Sequence, residues 1–306
     1  MVKLADINVI IVALAGGRGL ESCLQALSEV WTQCVVVLGR AMGDTQQWQR
    51  RFPGVVFIDG GSLPVPLKRL RAIERVTGDI VALLEDTSIP CEGWIQSVRA
   101  AFDDEATVAV GGPVLISPSL PGRYKALGCG EYGLFHPRRF EQSDDLQNRE
   151  RDITDISRLP GNNLAYRRSV LANVLSDVNR GLLESEVNQN LLNSGRHLTF
   201  HPGMAVMYAV PDQYGALLKT RLMHGRLFAG NRIKGRGWVT RLTWCLKSLL
   251  LPAVLSGRAL NSMRYAVNPS SWLPVACWIC LLESAWALGE MAGYACGEGR
   301  SLEAWR

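Results

Sequence analysis

Short apolar runs alternate with amphipathic segments through the first part of the 306-residue chain. The runs are unbroken rather than alternating with polar residues, which is typical of strands covered on both faces of a sheet. They lie at residues 8–14, 34–38, 55–58, 79–84 and 107–111. The intervening segments, with apolar residues at helical spacing, lie at residues 20–30, 46–52, 67–77 and 93–102. This alternation predicts βαβ units and a mostly parallel sheet, so the first domain is expected to be of the α/β class.

The pattern changes twice further along the chain. Residues 117–158 are rich in Pro, Gly, Arg and Asp and are expected to form a long excursion from the sheet. After residue 211 the strand-like runs give way to long apolar segments of helical character. We therefore predict an α/β domain over residues 1–212 and a basic, apolar helical region over residues 213–306.

Two long apolar segments, residues 239–255 and 272–292, dominate this C-terminal region. Their length approaches the roughly 20 residues that a membrane-spanning helix needs. The first contains Lys247, and the second contains Glu283 and Glu290, which are expensive inside a bilayer. The segments are therefore either membrane-embedded or interfacial helices, or the helices of a soluble subdomain.

The charge of the C-terminal region is one-sided. Residues 213–282 contain no Asp or Glu. Their cations are Lys219, Arg221, Arg226, Arg232, Lys234, Arg236, Arg241, Lys247, Arg258 and Arg264. A basic and apolar segment of this kind is expected to contact an anionic surface. The long aliphatic runs favour a membrane surface as partner, and the absence of an aromatic RNA-binding motif argues against nucleic acid.

Two adjacent carboxylates, Glu85 and Asp86, directly follow the apolar run at residues 79–84. In a parallel α/β sheet, ligands bind beyond the carboxyl ends of the strands. Adjacent like charges are unfavourable unless a cation or hydrogen-bond donors neutralise them, and hard oxygen ligands suit Mg²⁺ or Mn²⁺. The pair therefore predicts a divalent-metal site for a nucleotide diphosphate. The alternative is a helix-capping carboxylate in a surface turn before Pro90.

Four segments, in order along the chain, resemble motifs of the family 2 glycosyltransferases, which are nucleotide-sugar enzymes of GT-A fold. The segments are GDIVALLEDTSIPCEGW at 78–94, LPGNNLAYRR at 159–168, LESEVN at 183–188 and HGRLFAGNR at 224–232. A basic helix with Arg69 and Arg71 precedes the first segment, as in that family. The resemblance spans roughly residues 7–235, and the last segment is similar to membrane-linked members of the family.

The resemblance implies a metal-assisted hexosyltransferase reaction, in which a sugar moves from a nucleotide-diphosphate donor to a hydroxyl acceptor. It places Glu85 and Asp86 on the metal and the donor, and Arg69 and Arg71 on the donor side. The metal would neutralise charge that develops on the leaving diphosphate.

The family's catalytic base corresponds to a carboxylate in the segment at 183–188. Either Glu184 or Glu186 could remove the proton of the acceptor hydroxyl. Residues two apart on a helix point in different directions, so only one of them is expected to face the site, and we favour Glu184. The alternative is that both are ordinary favourable carboxylates in the first turn of a helix.

Two further groups of candidate residues come from the same resemblance. Gly161, Asn162 and Asn163 correspond to the acceptor side of the site. His224, Arg226 and Arg232 are candidates for binding the diphosphate or a lipid phosphate; the alternative is a solvated basic face beside anionic lipid.

The chain departs from the family's pattern at the donor nucleotide. Thr87 stands where the family usually has a third acidic residue. Metal binding is therefore expected to be weaker than in the family, or to use a different arrangement of ligands. Ala13 and Ala15 occupy the end of the first strand, where the family often has a proline. Asp59, after the third strand, is the candidate substitute for the acid that contacts the base and ribose.

The sequence therefore predicts a GT-A glycosyltransferase (Rossmann-like, mostly parallel sheet) with a C-terminal apolar helical region and a Mg²⁺ or Mn²⁺ cofactor. Its acceptor would be a lipid-linked sugar or a surface polysaccharide, and it would lie at the cytoplasmic face of the inner membrane. Two alternatives stay open. One is a non-catalytic membrane-associated scaffold of the same fold; the other is an NADP-dependent oxidoreductase, suggested by the glycine turn at 16–19 and by Arg40.

Overall fold

The chain forms two compact units in the computed structural model, which describes residues 2–3, 6–14, 17–140, 156–174, 181–209 and 217–304. The first unit comprises residues 1–115 and 140–213. The second comprises residues 116–139 and 214–306, so it combines a middle segment of the chain with the C-terminal region.

Ten strands are present among the described residues. They are β1 Ile7–Ala13, β2 Cys34–Leu38, β3 Val56–Asp59, β4 Ile80–Glu85, β5 Ser88–Pro90, β6 Ala109–Gly111, β7 Val114–Ile116, β8 Asn163–Arg167, β9 Thr199–Phe200 and β10 Val206–Tyr208. Seven of them form the central sheet, in the order β3-β2-β1-β4-β8-β6-β9. The other three form a small sheet in the order β5-β10-β7.

Thirteen α-helices lie in the described part of the chain. They are α1 Gly17–Ala26, α2 Thr45–Arg51, α3 Val65–Ile73, α4 Trp94–Ala101, α5 Gly122–Tyr132, α6 Pro137–Phe140, α7 Arg168–Val174, α8 Glu184–Asn193, α9 Leu217–Ile233, α10 Trp238–Ser248, α11 Leu251–Ala266, α12 Trp272–Cys296 and α13 Ser301–Ala304. Short 3₁₀ turns lie at Ser28–Gln33, Arg40–Met42, Gly133–Phe135 and Pro269–Ser271.

The predicted mostly parallel α/β sheet is confirmed. β1 pairs in parallel with β2 and with β4, and β2 pairs in parallel with β3. The pattern did not indicate that β8 inserts between β4 and β6 and runs antiparallel to both. β8 joins the sheet from far along the chain, and pairing between distant segments leaves no local mark in the sequence.

The core of the first unit explains why the strands read as continuous apolar runs. Every residue of β2, and all of β4 except its last residue, is buried. Ile10 and Leu83 of the sheet belong to one buried cluster with Ile73, Val187 and Leu191, which lie on α3 and α8. Full burial of a large aliphatic side chain stabilises the fold by roughly 1.5–3 kcal/mol. This packing fixes α3 and α8 against the sheet beside the carboxyl end of β4.

Several segments differ from the sequence-based expectation. The expected excursion over residues 117–158 contains the helix α5, whose Tyr124 and Leu127 are buried; residues 141–155 lie outside the described part. The apolar segment 239–255 is divided between α10 and α11, which are bent by 50°. Pro252 lies in the first turn of α11, where its missing N–H costs no helical hydrogen bond; inside one continuous helix its ring would clash with the preceding turn.

The second unit is a helical assembly built around α12. This helix packs against α9, α5, α10 and α11. By length and composition, the segment Pro269–Cys296 is the one unbroken helix in the described residues that could cross a membrane, and the bent pair α10 and α11 would count as a second if it formed one span.

Candidate functional site

The carboxyl ends of four neighbouring strands meet at one edge of the central sheet. The strand register pairs Asp59 with Leu38, Leu38 with Ala13, and Val12 with Glu85. The predicted donor-side residues Ala13 and Asp59 and the carboxylate Glu85 therefore lie along the same edge, where ligands bind in open α/β sheets. Ala15 lies outside the described residues.

A buried guanidinium, that of Arg69 on α3, joins two of the predicted carboxylates. Its Nη2 donates to Glu85 Oε1 at 3.2 Å and to the carbonyl oxygen of Gly161 at 3.3 Å. Its Nη1 lies 2.5 Å from Oε1 of Glu184. Arg69 is only 1% exposed. The structure therefore places the end of β4, the turn before β8 and the start of α8 around one cation.

The fold positions this arrangement through three elements that the apolar core fixes. α3 begins after Pro64 and presents most of its residues, Arg69 among them, to the interior. Glu184 is in the first turn of α8, where the helix dipole favours a negative charge. Gly161 allows the close approach of Glu184, because a Cβ at residue 161 would lie 2.7 Å from its carboxylate oxygen.

A buried tyrosine, Tyr166, lies near enough to Glu184 to interact with it electrostatically. The hydroxyl of Tyr166 donates to Asn188 Oδ1 at 2.7 Å. Burial raises the pKa of Tyr166 well above its ordinary value, the nearby Glu184 raises it further, and Arg69 acts in the opposite direction. Tyr166 is therefore a neutral donor at physiological pH. The sequence did not single out Tyr166 or Asn188, because the partners are 22 residues apart and meet only through the packing of β8 against α8.

The two adjacent carboxylates Glu85 and Asp86 have different environments. Glu85 ends β4 with its side chain 21% exposed. Asp86 is buried, and its Oδ2 accepts from the backbone N–H of Leu14 at 3.0 Å. The backbone N–H of Asp86 also donates to the carbonyl oxygen of Val12. Asp86 thus ties the end of β4 to the end of β1, and Glu85 is the more accessible of the two.

The donor set for a divalent cation is small in this region. Within the described ranges, no group of three or more His, Cys, Asp or Glu side chains is close enough to hold a metal ion. Mg²⁺ commonly binds one or two protein carboxylates together with substrate phosphates. Glu85 fits such a shared site, in which the phosphates complete the coordination. Asp86 would contribute chiefly by fixing the backbone of the same turn.

The predicted acceptor-side asparagines are both buried, but only Asn163 has partners in the described chain. Its Nδ2 donates to the carbonyl oxygens of Met204 and Pro113, and its Oδ1 accepts from Trp94 Nε1 at 2.9 Å. Asn162 lies opposite Glu85 in the continued register, and neither of its amide atoms has a hydrogen-bond partner among the described residues. The same holds for the buried hydroxyl of Thr87.

The remaining donor-side candidates lie on the surface of the same unit. Asp59 Oδ1 accepts from the backbone N–H of Gly61 at 2.8 Å, and the backbone carbonyl of Asp59 is 3.5 Å from Nη1 of the exposed Arg71.

The second candidate base, Glu186, is half-buried on α8, two residues after Glu184. Among the described residues, Arg69 pairs with Glu184 rather than with Glu186.

The three predicted phosphate ligands lie on α9 in the second unit, where they contact neighbouring helices. Arg226 Nε donates to the carbonyl oxygen of Gly297 at 3.1 Å. The guanidinium of Arg232 lies 3.8 Å from the ring centroid of Trp244. Burial and the nearby Arg221 lower the pKa of His224 to about 4. Arg226 and Arg232 therefore have packing roles inside this unit.

The fold is similar to that of a solved mannosyltransferase. A mannosyltransferase from Pyrobaculum calidifontis, solved with GDP-Man and Mn²⁺, aligns with a TM-score of 0.53 and 15% identity over 95% of this chain and 87% of its own. GalNAc-T7, solved with UDP, GalNAc and Mn²⁺, aligns at 0.49 and 9% identity, over 67% and 43% of the two chains. A mycobacterial protein aligns at 0.46 and 13%, over 73% and 72%.

The first of these alignments confirms the predicted GT-A-like fold, and at 15% identity it is informative about fold alone. No protein-family model matches the sequence, and no curated protein matches it either.

Proposed function

We propose that this chain is a glycosyltransferase of family 2 type, which moves a sugar from a nucleotide-diphosphate donor to a hydroxyl acceptor. The observation that carries the proposal is the pair of carboxylates, Glu85 and Glu184, which the buried Arg69 holds at the carboxyl edge of a GT-A-like sheet. Mannosyltransferase and GalNAc-T structures of similar fold contain nucleotide, sugar and Mn²⁺.

The proposed division of labour follows from the position of each carboxylate. Glu184 is the general base that accepts the proton of the acceptor hydroxyl as this hydroxyl attacks the anomeric carbon. One of its oxygens is held by Arg69, so its orientation is fixed and the other oxygen can face the acceptor. Glu85 lies on the donor side with the diphosphate.

A bound Mg²⁺ or Mn²⁺ would neutralise charge on the departing nucleoside diphosphate. Glu85 would hold it together with the donor phosphates, and Asp86 would keep the turn in place through Leu14. The amide of Asn162 is buried opposite Glu85 and has no hydrogen-bond partner in the described part of the chain, so it is the candidate hydrogen-bonding group for a substrate hydroxyl. A buried amide without partners is costly, so substrate binding at this position would recover free energy.

The acceptor and the location are proposed at the level of the family resemblance. A lipid-linked sugar or a growing cell-envelope polysaccharide would be the acceptor, at the cytoplasmic face of the membrane. The basic, acid-free segment over residues 213–282 supports an anionic membrane surface there.

A thermal-shift screen against UDP, GDP, dTDP and NADPH, each with and without Mn²⁺, tests the proposal. A ligand that binds only the native state raises the melting temperature by mass action. We expect one nucleoside diphosphate to raise it in a Mn²⁺-dependent way, and Glu85→Ala to remove the effect. Glu105→Ala, a change at an exposed acid of the same unit, is the matched control.

The outcomes separate the three candidate functions. A shift with a nucleoside diphosphate, followed by release of that nucleotide from its sugar conjugate, supports a transferase. A shift with NADPH alone would favour the oxidoreductase. If no nucleotide shifts the melting temperature and no donor is hydrolysed, the non-catalytic scaffold is favoured, and the small metal donor set around Glu85 would then be its structural explanation.

A further inference from the structure

Six exposed large apolar side chains of the second unit lie on one short helix and the turn that follows it. Trp238, Val239, Leu242, Leu246, Leu249 and Leu250, on α10 and the turn after it, are each between 51% and 75% exposed. At 100° per residue these six side chains lie within about 120° of the helix circumference. We name them the α10 apolar face. Soluble proteins rarely expose a contiguous apolar surface of this kind unless something binds it.

The cations around this face indicate what binds it. Lys234 and Arg236 directly precede α10, and Lys247 lies beside the face on the same helix; all three are exposed. No acidic residue occurs within residues 213–282 to offset them. A helix with a Trp- and Leu-rich face flanked by exposed Lys and Arg is typical of helices that lie in the interface of an anionic membrane. A second copy of the same surface would bring like charges together.

The length of α10 favours an orientation in the plane of the membrane. Its 11 residues span about 16 Å at 1.5 Å per residue, roughly half of a bilayer's apolar core of about 30 Å. The 50° bend to α11 prevents the two helices from forming one straight span.

The apolar helix α12 differs from α10 in how it packs. One face of it is buried against α9 and includes Glu283, whose Oε1 accepts from Arg221 Nη2 at 2.8 Å. Glu290 is also buried and accepts from Trp286 and Tyr294 of the same helix. Insertion of α12 across a bilayer would carry these acids and the cationic α9 with it, which is unfavourable. α12 is therefore held in the second unit by one face that packs against α9, with about a third of its apolar stretch buried (33%).

We propose that the α10 apolar face is the membrane-docking surface of this protein, and that it lies in the interface of an anionic lipid bilayer. The proposal extends the suggested membrane location, but it does not depend on the chain being a glycosyltransferase.

Vesicle co-sedimentation of the full chain tests the proposal. The vesicles are phosphatidylcholine alone or phosphatidylcholine mixed with phosphatidylglycerol. We expect binding to the mixed vesicles, weakened when the salt is raised from about 0.1 M to about 1 M because screening shortens the reach of the cations. The triple variant Leu242→Ser, Leu246→Ser, Leu249→Ser should lose about tenfold or more of this binding. All three residues are exposed, so circular dichroism should be unchanged.

The matched control places the same changes on α12, at its exposed residues Leu273, Leu281 and Leu288. We expect this variant to bind vesicles like the unchanged chain. If the α12 variant loses binding and the α10 variant keeps it, the proposal is overturned in favour of α12 as the anchor.

Three other outcomes would also overturn the proposal. One is that the unchanged chain does not bind mixed vesicles at all. Another is that the α10 variant changes a dimer to a monomer in light scattering without any effect on vesicle binding, since the partner of the face would then be a second copy. Retention of the α10 variant in cell membranes after alkaline carbonate extraction would likewise identify a spanning helix elsewhere.

Discussion

At the scale of single residues, the central feature is a buried cation shared by two carboxylates. Arg69 contacts Glu85 and Glu184, which come from separate elements of the first unit. The motif-based interpretation placed Arg69 on the donor. That assignment stays a prediction. We add a positioning role to it, because the buried guanidinium has three oxygen partners inside the protein.

The first residue-scale prediction separates the two candidate bases. Glu184→Gln should reduce the rate of sugar transfer by about 10²–10⁴-fold, because the proton of the acceptor hydroxyl loses its acceptor. Glu186→Gln should reduce it less than tenfold, since Glu184 and not Glu186 pairs with Arg69. Steady-state kinetics with the donor identified by thermal shift would measure both. Equal losses in the two variants would refute the assignment.

A second prediction concerns Arg69 itself. Arg69→Met should lower the free energy of unfolding by about 3–5 kcal/mol, because two partly buried carboxylates lose their counter-ion. Arg69→Lys should recover part of this loss, since lysine keeps the charge but cannot contact both carboxylates with a planar fork. Urea denaturation gives the stability. The positioning role further requires that kcat fall in Arg69→Lys even where the variant is folded.

At the scale of elements, close helix packing organises the second unit. α9 and α12 approach each other at Gly289, where an added Cβ would collide with the carbonyl oxygen of Leu222. Gly289→Ala should therefore destabilise the protein by about 1–3 kcal/mol. Gly257→Ala, on α11 with nothing near the added Cβ, should instead stabilise it by about 0.5–1 kcal/mol. Thermal unfolding of the two variants measures the contrast, and two changes of the same sign would contradict it.

A pH dependence also belongs to α9. The pKa of His224 is lowered from 6.5 to about 4 by burial and by Arg221. Between pH 6.5 and pH 4, His224 is therefore protonated in the unfolded chain and neutral in the folded chain. The free energy of unfolding consequently falls as the pH decreases from 7 towards 4. At pH 5 the loss from this group should be about 2 kcal/mol. His224→Gln should remove that part of the dependence in urea titrations, and an identical pH dependence in variant and parent would argue against it.

At the scale of the whole molecule, the proposed chemistry and the proposed membrane contact belong to different compact units. Glu184→Gln should reduce transfer by about 10²–10⁴-fold and leave vesicle binding unchanged. The α10 triple serine variant should lose vesicle binding and retain nucleotide binding in solution. Co-sedimentation and thermal shift on both variants measure this. If one change removed both properties, the two surfaces would not be independent.

The sequence by itself determined the class of fold and the location of the candidate site. Unbroken apolar runs at 34–38 and 79–84 record burial on both faces, and a pair of acids directly after the second run marks the end of a strand. The local sequence pattern is sufficient to predict these features, because the burial of a strand and the position of its end both depend on consecutive residues. The alternation of strands and helices predicted from these runs is the order in which the first unit of the fold is built.

Only the tertiary structure decided which residues act together. The contacts of Arg69 with Gly161 and Glu184 join segments about a hundred residues apart, and the separate environments of Glu85 and Asp86 depend on the neighbouring strand β1. Hydropathy also marked α12 and α10 as similar helices, whereas packing buried a face of the first and left the apolar face of the second exposed. The physical reason is that composition records how much apolar surface a segment has, and only the folded chain determines how much of it is covered.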